Sequence, residues 1–168
     1  LHDALPISVK NGCGEGACGA CMVLVDGKAA RACLFTLAKV ENKQVVTVEG
    51  LSQREKDVYS WAFAEAGAVQ CGFCIPGMVI SAKGLLDQVP DPSSAEIKKA
   101  LHGNICRCTG YVKIEKAIAM AAKVLREGTP LPELPAYRIG ERLPRVDAKE
   151  KVTGTGEYVE LMSARREL

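Results

Sequence analysis

Long apolar runs are missing from this chain. A membrane-spanning helix needs about 18 or more apolar residues in succession, and the most apolar stretch, 77–86, is far shorter and contains Lys83. An excess of charge is missing too. Lys and Arg number 22 against 20 Asp and Glu, and the net charge of +2 is too balanced to argue for nucleic acid or a membrane surface as the partner. No secretory signal is recognisable. Aromatic residues make up only 5%, and Tyr59, Trp61 and Phe63 share one predicted helix, where they read as packing residues. Histidine occurs twice, and neither copy is recruited: His2 lies in an anomalous leader, and His102 reads as a helix-end residue. The last sixty residues contain no cysteine.

What the chain does have is eight cysteines among 168 residues, in two groups of four. Disulfides, zinc and iron–sulfur clusters are the three chemistries to weigh. Disulfides fit poorly. Cys71 and Cys74 are two residues apart and Cys106 and Cys108 one; such pairs close tiny loops that constrain an unfolded chain little, and the spacing is that of metal ligands.

Residues 1–8 (LHDALPIS) match nothing around them. They can be back-translated as a sequencing-library adapter, so they are expected to be an assembly artefact and are set aside. Residues 9–50 read as loop and strand. The segment 11–21, with four glycines and three cysteines, must be an irregular loop. Strands are expected at 22–25, 28–33 and 44–49, with Asp26-Gly27 as a hairpin turn. From Leu51 the pattern turns helical, with helices expected at 52–66, 76–88, 94–102 and 111–126. Ser52 is the first N-cap, Pro76 sits in a first turn, and Gly67 and Gly103 are stops. Residues 128–144 are proline-rich and read as a linker. Residues 145–168 look like the start of a further domain.

The first constellation is Cys13-x4-Cys18-x2-Cys21-x11-Cys33. A cluster of two irons and two sulfides needs four thiolates around a rhomb, and three close cysteines plus a distant fourth is the plant-type ferredoxin pattern. Gly12, Gly14, Gly16 and Gly19 allow tight folding around it. Zinc ligands more often come as two tight pairs. The second constellation, Cys71-x2-Cys74-x31-Cys106-x1-Cys108, is two such pairs, and spacing alone leaves zinc and iron–sulfur nearly level. The first cluster in the same chain tips the balance, because two neighbouring clusters form an electron relay.

The segments NGCGEGACGACMVLVDGK, QCGFCIPGM and GNICRCTGY resemble the iron–sulfur subunit of the molybdenum hydroxylases, such as xanthine dehydrogenase, aldehyde oxidoreductase and the small subunit of carbon monoxide dehydrogenase. The likeness runs from Val9 to about Glu127. It implies an α+β fold: a β-grasp ferredoxin-like domain at 9–50, then a four-helix bundle at 51–127. It implies two [2Fe–2S] clusters, on Cys13, Cys18, Cys21 and Cys33 and on Cys71, Cys74, Cys106 and Cys108. The second would lie nearer the molybdenum–pterin cofactor of a partner domain, with Gln70 and Cys108 approaching the pterin. The first would pass electrons to FAD or another acceptor. Tyr111 is not recruited as a site residue; it follows the Cys106/Cys108 loop, a position from which it could cover that cluster.

Two departures from the family matter. The β-hairpin and helix expected before Cys13 are absent, so the β-grasp is truncated and the first cluster is expected to be poorly retained. At the other end, 145–158 (RVDAKEKVTGTGEY) resembles the opening of the molybdenum-binding subunit, and residues 160–168 no longer follow it. A fusion without an intervening FAD domain is implied, with 128–168 as linker and truncated start of the molybdopterin-binding domain. The expectation is an electron-transfer part of a cytoplasmic molybdenum-dependent oxidoreductase, with no substrate site of its own and an export signal left open by the missing N-terminus. The rivals are a structural zinc-binding interaction module and a free ferredoxin-like carrier.

Overall fold

The computed structural model describes residues 7–132, 139–141 and 143–158. Residues 1–6 of the suspected artefact, part of the linker and the divergent tail 160–168 lie outside the described residues.

The chain folds into a small α+β structure. Strand β1 (Met22–Val25) pairs antiparallel with β2 (Lys28–Arg31) and with β3 (Val45–Val46), giving the order β2-β1-β3. Asp26 and Gly27 both take positive φ, 49° and 76°, as a two-residue hairpin turn requires. Short helix α1 (Leu37–Val40) leads towards β3. Two strands are shorter than their β-branched and apolar runs suggest. β2 ends at Arg31 in a 3₁₀ turn over Ala32–Leu34, and β3 gives way to another at Val48–Gly50, which buries Val48.

Four longer helices follow: α2 (Gln53–Glu65), α3 (Ile75–Leu86), α4 (Ser94–Leu101) and α5 (Val112–Glu127). Their starts are written locally. Ser52 and Ser93 each form a capping box with the glutamate three residues on, Glu55 and Glu96. Helix α5 ends where Gly128 turns left-handed. Helix α2 packs on α5, α3 on α4, and α4 on α5. Tyr59, Phe63, Met78, Ile97, Ile114 and Ile118 fill the space between them, each at most 1% exposed. Among the described residues no helix is long and apolar enough to cross a membrane.

The sheet joins the helices through α3. Gly84 lets β1 and β2 approach, since a Cβ there would sit 3.2 Å from Leu24 Cδ2 and 3.3 Å from Ala29 Cβ. A sixth helix, α6 (Ala148–Thr153), lies in the region read from sequence as the start of a further domain, where no helix is expected. It packs against α2 and α3 and buries Ala148 and Val152.

Candidate metal centres

All eight cysteines are free. The two groups are those read from the sequence. In the first group the loop before β1 wraps Cys13. The backbone N–H groups of Glu15, Ala17 and Cys18 each donate to Cys13 Sγ at 3.4 Å. Positive φ at Gly14 and Gly16 (68° and 75°) turns these amides inward. The three donors hold the Cys13 thiol down at about 6. Cys18 hydrogen-bonds to Cys13, and Cys33, arriving from the turn after β2, hydrogen-bonds to Cys21. Burial pushes the Cys21 thiol up, and its neighbours Cys33 and Cys18 add to the effect.

In the second group Cys71 and Cys74 sit in the turn that opens α3, where Cys74 is the N-cap, and Cys106 and Cys108 sit in the loop between α4 and α5. Cys71 Sγ and Cys108 Sγ are 3.7 Å apart, while Cys74 hydrogen-bonds to Cys106. Burial pushes the Cys74 thiol far up. For Cys106 burial acts in the same sense, but the Thr109 hydroxyl, 3.1 Å from its sulfur, and the Thr109 and Cys108 amides bring it below its ordinary value. Tyr111 anchors this loop: its hydroxyl accepts the Cys106 N–H at 2.8 Å and donates to the Asn104 carbonyl at 3.1 Å. Gln70 Nε2 donates to the Cys108 carbonyl at 2.8 Å, joining the two cysteine-bearing loops on the exposed side.

Among the described residues no group of three or more Cys, His, Asp or Glu side chains is close enough to hold a metal ion. In each group the sulfurs instead come in pairs, Cys13 with Cys18, Cys21 with Cys33, Cys71 with Cys108 and Cys74 with Cys106. A [2Fe–2S] rhomb takes two thiolates on each iron. Tetrahedral bonds of about 2.3 Å, as for zinc thiolates, place two sulfurs on one metal roughly 3.8 Å apart, close to the Cys71–Cys108 separation of 3.7 Å.

The two groups meet at a buried junction. The Ile105 N–H donates to the Cys18 carbonyl at 2.8 Å. Asn104, 3% exposed, donates from Nδ2 to the Gly19 carbonyl and accepts from the Ser81 hydroxyl. No side chain fits between the loops: a Cβ on Gly19 would lie 2.2 Å from the Gly103 carbonyl oxygen, and one on Gly77 the same distance from that of Gly19. Asn104, Ser81 and Thr109 escape a reading based on cysteine spacing. The only local signal is that Asn104 and Thr109 flank Cys106 and Cys108 in GNICRCTGY. His102 caps the end of α4, as read from sequence.

Comparison with known proteins agrees with the geometry. Residues 2–58 match the family of 2Fe-2S iron-sulfur cluster binding domains and residues 47–119 the family of [2Fe-2S] binding domains. The nicotinate dehydrogenase small FeS subunit of Eubacterium barkeri is 46% identical over 117 residues, 69% of this chain and 74% of that protein. The aldehyde oxidoreductase of Megalodesulfovibrio gigas is 44% identical over 160 residues, 89% of this chain but only 18% of that much longer protein. The solved structure of aldehyde oxidoreductase from Desulfovibrio gigas superposes over 95% of this chain with a TM-score of 0.85 at 40% identity, and the match takes in 19% of that chain. The chain belongs to the [2Fe–2S] iron–sulfur subunits and domains of the molybdenum hydroxylase family.

Proposed function

We propose that Cys13, Cys18, Cys21 and Cys33 hold one [2Fe–2S] cluster, that Cys71, Cys74, Cys106 and Cys108 hold a second, and that the chain relays electrons out of a molybdenum-containing partner domain. The observation that carries this is the 2.8 Å hydrogen bond from the Ile105 amide to the Cys18 carbonyl. It links the residue beside one proposed ligand, Cys106, to another, Cys18, so the two sites share a short, continuous path.

Each cluster, when bound, accepts and returns one electron at a time. The chain's own residues do the rest. The amides on Cys13 and the Thr109 hydroxyl at Cys106 stabilise negative charge on sulfur. Buried Cys74 is kept protonated until metal displaces the proton. Gly14, Glu15 and Ala17 lie in the exposed loop around Cys13, which suits an exit for electrons towards FAD or another acceptor. On the other side Gln70, Cys71 and Cys108 form an exposed face, which suits an approach to the pterin, with Gln70 as the pterin-facing residue.

The finer fold reading is a β-grasp ferredoxin-like unit at 9–50 and a four-helix bundle at 51–127. The order β2-β1-β3 and the packing of α2 to α5 support it. Residues 128–168 would lead from it into a molybdenum-binding domain of the same chain. The test is iron analysis with EPR of the dithionite-reduced protein. Two distinct reduced-cluster signals are expected; zinc with no signal would overturn the relay.

A further inference from the structure

We infer that residues 143–158 are a strap over the second cysteine group, and that Lys151 and Tyr158 are positioning residues that set its reduction potential. This rests on the reading that Cys71, Cys74, Cys106 and Cys108 hold a cluster.

Two donors from the strap converge on one acceptor. Lys151 Nζ donates to the Cys71 carbonyl at 3.0 Å, and the Tyr158 hydroxyl donates to the same oxygen at 2.9 Å. The two bonds span 80 and 87 residues of sequence. The Lys151 stem lies against the next residue, where a Cβ on Gly72 would come within 2.6 Å of Lys151 Cβ. Gly72 itself has φ +85°. The Tyr158 ring stacks edge-on against Phe73 at 5.4 Å between centroids. It is flanked by two ammonium groups, Lys10 and Lys151, each 5.2 Å from its centroid. Lys10 also donates to the Gly154 carbonyl at 3.2 Å, tying the start of the described chain to the strap. Buried Ala148 and Val152 seat α6 on α2 and α3.

The electrostatic consequence has a sign. Reduction adds one electron to the cluster and moves no proton and breaks no bond, so the site becomes more negative by one charge. Around the carbonyl of Cys71 the strap supplies Arg145 and Lys151 against Asp147, which pairs with both. Over 143–158 as a whole Arg145, Lys149 and Lys151 balance Asp147, Glu150 and Glu157, so the local positive charge is that of Lys151, whose ammonium is 3.0 Å from the Cys71 carbonyl. The Lys151 side chain is only 13% exposed, so solvent screens it weakly. Both the cation and the two donors on the Cys71 peptide favour the reduced state.

The experiment is an EPR-monitored redox titration of the full chain after reconstitution with iron and sulfide to load both clusters, comparing wild type with Lys151→Gln, Lys151→Arg and Tyr158→Phe. Lys151→Gln is expected to lower the midpoint of the second cluster and leave the first unmoved. Lys151→Arg should keep the wild-type value, and Tyr158→Phe should shift it the same way by less. A second-cluster midpoint unchanged in both Lys151→Gln and Tyr158→Phe, or an equal shift in both clusters, overturns the inference. If Lys151→Gln fails to retain the cluster, Tyr158→Phe carries the same test alone. Absence of a second-cluster signal from the wild type would instead sink the cluster reading on which the inference rests.

Discussion

At the scale of single residues the sulfur atoms are differentiated by what points at them. Cys13 receives three amides and is held at about 6, so in the metal-free chain it is a ready thiolate. Its alkylation by iodoacetamide should rise with pH around a midpoint near 6, measured by mass spectrometry of the labelled peptide. A midpoint in the ordinary thiol range would contradict the inward orientation of those amides. Thr109 offers a second test. Thr109→Val removes the hydroxyl beside Cys106 and keeps the shape, so the second-cluster midpoint should fall. A tenfold loss in relative stability of the reduced state corresponds to ~59 mV for one electron, and a shift of tens of millivolts is the expected size. The cysteines themselves were legible in the sequence because ligand spacing is local. Asn104 and Ser81 were not, since their bonds to Gly19 and to each other join segments far apart in the chain.

Elements were legible where their signals are local as well. The two capping boxes mark α2 and α4 in the sequence itself, and Gly128 marks the end of α5. Ser93→Ala should cost about 1 kcal/mol, read as a small fall in thermal midpoint with both clusters kept. The strand boundaries were less readable. The apolar run 44–49 reads as one strand, but β1 offers β3 partners only at Leu24 and Val25, so the ladder stops after two residues. Helix α6 was missed because its apolar face is two residues, Ala148 and Val152, and its partners lie far earlier in the chain, in α2 and α3. Element contacts also predict where substitution is most damaging. Gly77→Ala forces a Cβ to 2.2 Å from the Gly19 carbonyl oxygen. Overpacking costs about 1–3 kcal/mol or more, so this variant should lose far more stability than Ser93→Ala and should disturb both clusters, visible as bleaching of the iron–sulfur absorbance.

For the whole molecule, the weight of packing lies in the helical half. Its side chains make up most of the buried cluster, whereas the sheet half contributes short strands and exposes Leu34, Leu37 and Val45. Among the described residues β2 and β3 are the edges of the sheet, which leaves it prone to local opening. Expressed as this chain, the protein should therefore bind fewer than four irons, with the deficit in the ferredoxin-type signal. Four irons per chain and two EPR signals of equal intensity would show that the short sheet suffices. Ser8, the last residue of the segment set aside in the sequence, is buried and bonds to Glu49 through both its amide and its hydroxyl.

Gly19 was described as a place where no side chain fits. Packed backbone on both sides also leaves no room there for a mobile solvent molecule. An electron crossing between the two sulfur nests by way of the Ile105–Cys18 hydrogen bond would thus pass beside fixed, closely packed backbone.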